Sequence, residues 1–155
     1  MTDDLITRIR EAARRDETTQ WFCVTTPEQI AYVESIISIQ LPELLKQCYM
    51  QIGNGGFGPS YGITGLPGGH ESSWGDLIQT VEGLRQLEEC EQGWLPLIDY
   101  GCAEMLCVDC DEEELVVVSL QGEIDYKDYD FTTVMERWCE GKIPDLRSEG
   151  FIRER

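Results

Sequence analysis

Leu41-Pro42-Glu43-Leu44-Leu45-Lys46-Gln47-Cys48-Tyr49-Met50-Gln51-Ile52-Gly53-Asn54-Gly55-Gly56 is the stretch whose reading decides the fold. Pro42 suits a helix start, where its missing N–H costs nothing. Leu44, Leu45, Cys48, Tyr49 and Ile52 follow at helical spacing and give one apolar face. Tyr49 and Ile52 are expected to anchor that helix in the core. Gly53-Asn54-Gly55-Gly56 stops it, because these residues tolerate positive φ and let the chain reverse. Asn54 reads as a turn residue whose side chain hydrogen-bonds nearby backbone. Together with Phe57 and Gly58 the glycines satisfy G-x-G-x-x-G. A dinucleotide site needs that pattern after a strand and before a helix. Here it follows a helix, so the structural reading wins.

Upstream, Thr26-Pro27-Glu28-Gln29 is a helix start with a capping residue, a first-turn Pro and Gln at the capping-box position. Ile30, Val33 and Ile37 continue it. Residues 3 to 15 form a further amphipathic helix, with Leu5, Ile6, Ile9 and Ala13 on one side. A short apolar run at 21–24 reads as extended. Downstream, residues 57–70 are rich in Gly and Pro and read as loop and irregular strand. Ser73 or Asp76 caps a helix running to about residue 89, carrying Leu77, Ile78, Val81, Leu84 and Leu87.

From Trp94 the character changes. Apolar runs at 94–98, 105–108 and 115–118 read as strands, and 123–126 as another. The acidic stretch 111–114 joins two of them as a hairpin. Asp130 then opens a final helix with Phe131, Val134, Met135 and Trp138 facing inward, ended by Gly141 and Pro144. The tail 144–155 is polar. Helices, then strands, then a helix is the order of an α+β domain with an antiparallel sheet covered by helices. The 155 residues fit one domain, 1–155, with its core at about 26–140.

Thirty acidic residues face twelve basic ones, a net charge of −18. That field repels phosphate backbones and anionic membranes and attracts basic proteins. Nucleic acid and membrane are therefore not expected partners. The acids concentrate at Asp99, Glu104, Asp109, Asp111, Glu112, Glu113, Glu114, Glu123, Asp125, Asp128 and Asp130, with Lys127 the single base among them. Tyr100, Tyr126 and Tyr129 lie between them and are candidate binding anchors. The plain alternative is a solvated acidic face with half-buried tyrosines. The polar N-terminus lacks a signal-peptide stretch and no run approaches a membrane span, so cytoplasmic residence is expected. The seven cysteines are then reduced thiols.

Several chemical motifs fail on context. Gly58-Pro59-Ser60-Tyr61-Gly62 matches G-x-S-x-G, but the Gly- and Pro-rich run after Ser60 rules out the helix a nucleophile elbow needs. His70, the single histidine, has no marked cysteine partner. Cys107 and Cys110 have C-x-x-C spacing, yet on a strand they point to opposite faces, and structural zinc wants further ligands. Residues 109–114 resemble half a calcium loop, with Glu114 where the loop needs Gly. No catalytic residue, metal or cofactor is expected.

The segment 41–56 resembles the signature of the SUKH superfamily, in which a helix leads through Leu41 and Pro42 into a second helix and then the Asn54-Gly55-Gly56 turn. The runs 94–98, Gly101 and 105–109 resemble the family's central strands, and 130–138 its closing helix ending at Trp138. The resemblance covers roughly residues 26 to 140. It implies a curved, mostly antiparallel sheet of about five to six strands flanked by about four helices. It also implies a non-catalytic protein-binding role. Many bacterial members resemble immunity proteins that neutralise toxins, often nucleases or deaminases. Fungal relatives are regulatory scaffolds. An immunity protein covering a basic toxin is therefore the expectation, with a housekeeping scaffold as the alternative. The helix at 3–15 and the seven cysteines lie outside the family's pattern.

Overall fold

The computed structural model describes residues 2–87, 92–101, 104–120 and 123–142. Four strands, β1 (Trp94–Gly101), β2 (Glu104–Asp109), β3 (Leu115–Leu120) and β4 (Glu123–Asp130), form one antiparallel sheet in the order β1-β2-β3-β4. Each pairs with its neighbour in sequence, the simplest connectivity an antiparallel sheet allows. Among the described residues the sheet has four strands, not the five to six expected. The 57–70 stretch, read from the sequence as loop and irregular strand, adds no full strand. That stretch reaches the sheet through one bridge, Ile63 to Ile98, and a Thr64 N to Leu97 O bond of 2.9 Å. Its glycines spend the rest of the backbone on turns.

Among the described residues five helices pack with the sheet: α1 (Thr2–Arg15), α2 (Pro27–Ile37), α3 (Glu43–Gln51), α4 (Leu77–Leu84) and α5 (Phe131–Cys139). Each falls on one of the five helical segments read from the sequence, where the resemblance implies about four. Their starts follow local chemistry. Thr26 and Asp76 close capping boxes with Gln29 and Gln79, and Asp130 accepts from Thr133 N. Gly141, at φ 78°, ends α5, and Lys142 N turns back to Arg137 O. The expected run of α4 to residue 89 is corrected: the helix ends at Leu84, and Leu87 is 44% exposed. Gly83 sits in its last turn against Trp74, whose ring leaves no room for a Cβ.

The main core joins α1, α2, α3, α5 and one sheet face through Ile9, Ile37, Leu45, Tyr49, Leu97, Leu106, Val108 and Phe131, among others. Trp94, Met105, Cys107 and Val117 gather with Leu84 in a second cluster. Apolar burial on both faces explains why the strands read as continuous apolar runs rather than alternating ones. Bulges at Pro96/Ile98 and Asp99/Gly101 interrupt the β1–β2 ladder. Pro96 is tolerated because β1 lies at the end of the strand order, where one row of N–H groups needs no ladder partner. No helix of the described residues is long and apolar enough to cross a membrane.

Candidate partner-binding faces

The register divides the acidic residues into two groups. Trp94 faces Asp109, Asp109 faces Leu115, and Leu115 faces Asp130, so these lie at one end of the sheet. Gly101 faces Glu104, Glu104 faces Leu120, and Leu120 faces Glu123, so these lie at the other. Five residues of strand separate the ends, roughly 17 Å. The acids at 109–114 therefore lie at the opposite end of the sheet from Glu104 and Glu123.

At the first end the β2–β3 turn carries Asp111, Glu112 and Glu113, all exposed, followed by half-buried Glu114. Glu113 and Glu114 have φ of 56° and 61°, a left-handed conformation that non-glycine residues rarely adopt. The turn is held by Asp109. Its carbonyl accepts from Glu112 N and Glu114 N at 3.1 and 3.0 Å, and its carboxylate accepts from Asp111 N and Trp94 Nε1 at 3.1 and 3.2 Å. Asp109 is 1% exposed, so its side chain braces the turn and does not face a partner. Burial pushes its carboxyl up, with the Asp111 N–H and the Trp94 indole partly offsetting it. Glu114 O accepts from Phe131 N at 3.1 Å, tying the turn to α5. Asp128 is exposed, while Asp130 is half-buried as the cap of α5.

The tyrosines divide as well. Tyr129 is buried, with the Arg137 guanidinium 4.5 Å from its ring centroid. It packs the core and presents no anchor. Tyr100 is half-buried and its hydroxyl has no hydrogen-bond partner among the described residues. Burial pushes that hydroxyl well above the usual tyrosine range. Asp125 and Tyr126 sit opposite Val118 and Val117 on β4, and their side chains lie outside the described residues.

At the second end a groove of about 520 Å³ opens between the segment 70–73 and the end of β1. Gln20, Tyr61, His70, Ser73, Asp99 and Gly101 line it. Asp99 is its buried floor. Its Oδ2 accepts from Ser73 N at 3.0 Å and from the Ser73 hydroxyl, and its Oδ1 accepts from Gly101 N at 2.7 Å. Burial alone would raise the carboxyl. The Ser73 hydroxyl, the N–H groups of Gly101 and Ser73, and nearby His70 outweigh it and hold Asp99 below the usual carboxylate range. Glu104 is half-buried beyond it. The sequence flagged Asp99 but not the groove, because Ser73 and Asp99 are 26 residues apart. The available signal was the one histidine beside two serines.

The structural motif residues hold the scaffold. Leu41 and Pro42 are buried, and Leu41 N donates to Glu34 Oε2 at 2.8 Å. The Tyr49 hydroxyl donates to Thr64 O at 2.5 Å inside the core. Gly55 and Gly56 have φ of 80° and 91°. Trp138 is half-buried against the core. Asn54 bonds not its own turn, as expected, but Leu66. Burial pushes the Cys48 and Cys110 thiols up to about 12, which keeps them protonated and poorly nucleophilic. Cys107 is buried and Cys110 half-buried at the turn. Among the described residues no group of three or more His, Cys, Asp or Glu is placed to hold a metal ion.

Helices over an antiparallel meander, with an acidic turn at one end and a polar groove at the other, make this an α+β domain with two polar ends. The chain belongs to the SMI1 / KNR4 family (SUKH-1), which it matches over residues 25–137. No curated protein matches the chain. The match begins after α1.

Proposed function

We propose that this protein is a non-catalytic binding module that neutralises a basic toxin, of nuclease or deaminase type, by covering its cationic surface. The reading rests on one observation above all: three consecutive exposed acids, Asp111, Glu112 and Glu113, sit on a turn already fixed by Asp109 and Phe131. A turn braced this way loses little freedom on binding, so more of its electrostatic attraction appears as affinity. Enzymes that cleave or modify nucleic acid carry basic surfaces to bind phosphate, and a net charge of −18 steers an inhibitor toward them. Family membership supports the class, and burial makes Cys48 and Cys110 poor nucleophiles.

Co-expression with the toxin encoded beside its gene tests the reading, with rescue of growth as the expected result. Replacing Asp111, Glu112 and Glu113 together by Lys should slow association by at least about tenfold at low salt, with the gap closing at high salt. Rescue and association that ignore the triple replacement would remove the turn from the interface. A gene with no toxin beside it, and no protection against any, would favour the regulatory scaffold.

A further inference from the structure

The groove at the opposite end of the sheet has a chemistry of its own. Its floor is an ionised carboxylate, Asp99, whose two oxygens already accept three hydrogen bonds. A carboxylate has about four acceptor sites, so Oδ1 keeps one. His70 is 8% exposed, lines the groove, and makes no side-chain hydrogen bond among the described residues. Its ring rests against Phe22, 6.0 Å between centroids. Glu71, exposed, adds a carboxylate at the rim, and no Lys or Arg is among the residues lining the groove. Tyr61, 65% exposed, stands on the rim against Gly101, whose missing Cβ would lie 3.3 Å from its ring. Trp21 and Trp74, also exposed, adjoin the lining residues Gln20 and Ser73 in sequence.

We infer that this groove seats an arginine side chain presented by a loop of the partner protein. The inference rests on the protein-binding reading and names a second contact for it. A guanidinium carries five donors and no acceptor, which complements a site offering acceptors and one aromatic face. It donates to Asp99 Oδ1 and stacks on Tyr61. An ammonium satisfies the charge but not the stack. An anion meets Asp99 and Glu71 and is repelled. Tyr61 on the rim supplies contact area for the loop that carries the arginine.

The test is an NMR titration of the isotope-labelled full chain with three capped tripeptides: Gly-Arg-Gly, Gly-Lys-Gly and Gly-Glu-Gly. The arginine peptide should shift the backbone amides of Tyr61, His70, Ser73 and Gly101 saturably. The lysine peptide should bind about threefold more weakly, and the glutamate peptide should leave the groove unchanged. Tyr61→Ala, at an exposed position, should weaken the arginine peptide by about threefold without unfolding the protein. Shifts confined to the Asp111, Glu112 and Glu113 turn, or spread equally over both acidic ends, would overturn the inference. If the groove ignores arginine while the protein still neutralises its toxin, the groove fails and the immunity reading stands. If arginine docks but no toxin is neutralised, the groove stands and the immunity reading fails.

Discussion

The side-chain amide of Asn54 bonds both backbone groups of Leu66: Oδ1 accepts from Leu66 N at 2.7 Å, and Nδ2 donates to Leu66 O at 3.2 Å. The pair works like a rung of β-ladder made by a side chain. It pins the 57–70 stretch to the end of α3, and the Asn54 carbonyl extends the clamp by accepting from His70 N at 3.0 Å. Asn54 is buried, so no water replaces it. Asn54→Ala strands two buried backbone groups and should cost about 2–4 kcal/mol in urea unfolding. A cost below about 0.5 kcal/mol would show that Leu66 finds other partners.

Gly55 and Gly68 share a positive φ, 80° and 93°, but not their surroundings. A Cβ at Gly55 would lie 2.4 Å from Ile63 O and 2.8 Å from Gly65 N, whereas a Cβ at Gly68 meets nothing within 4 Å. Gly68→Ala should therefore cost only the conformational strain, about 1–2 kcal/mol. Gly55→Ala adds a backbone clash and should exceed about 3 kcal/mol or prevent folding. Equal costs in chemical denaturation would mean that strain alone matters at both.

What the sequence made legible was local. The caps at Thr26, Asp76 and Asp130 and the stop at Gly53 depend on residues three or four apart, and all stand where spacing puts them. Charge along the chain does not show which acids share a face. A meander sends successive strand ends to alternate edges, so Glu104 and Asp109, five residues apart, finish at opposite ends of the sheet. Asp109 and Tyr129 look like surface residues by type, and only the folded turn and Arg137 show why they are buried. The groove needs segment 70–73 beside the end of β1, a pairing that no local pattern encodes.

Glu114 and Asp99 pull the pH dependence of stability in opposite directions. Burial and the Asp130 carboxylate push the Glu114 carboxyl up. Its folded pKa exceeds its unfolded one, so its penalty is full at neutral pH, shrinks as pH falls through the raised value, and is gone below the unfolded value. Glu114→Gln should thus stabilise at pH 7 by about 0.5 kcal/mol, with the gain lost below about pH 4. Asp99 is the reverse case. Its folded pKa is depressed, so its contribution is present above the unfolded value and lost as pH falls through the lowered one. Denaturation midpoints of the two proteins at pH 7 and pH 4 check the first sign; a gain that persists in acid would contradict it.

The N-terminal helix lies before the family's matched segment, yet its apolar side is part of the main core. Leu5, Ile6, Ile9 and Ala13 are buried, Ile9 completely, among the residues of α3 and α5. Arg10 donates to Gln51 O and Arg15 to Cys139 O, each at 3.3 Å, which fixes α1 across the ends of both helices. An appendage would melt separately and leave the rest unchanged; a helix sharing the core must unfold with it. Ile9→Ala removes three buried carbons at a site with no solvent access and should cost about 2–4 kcal/mol. The loss should appear equally by tryptophan fluorescence, which senses Trp94 in the second cluster, and by far-UV circular dichroism. Two separated transitions, with the fluorescence change left at its wild-type midpoint, would instead make α1 an independent addition to a core complete without it.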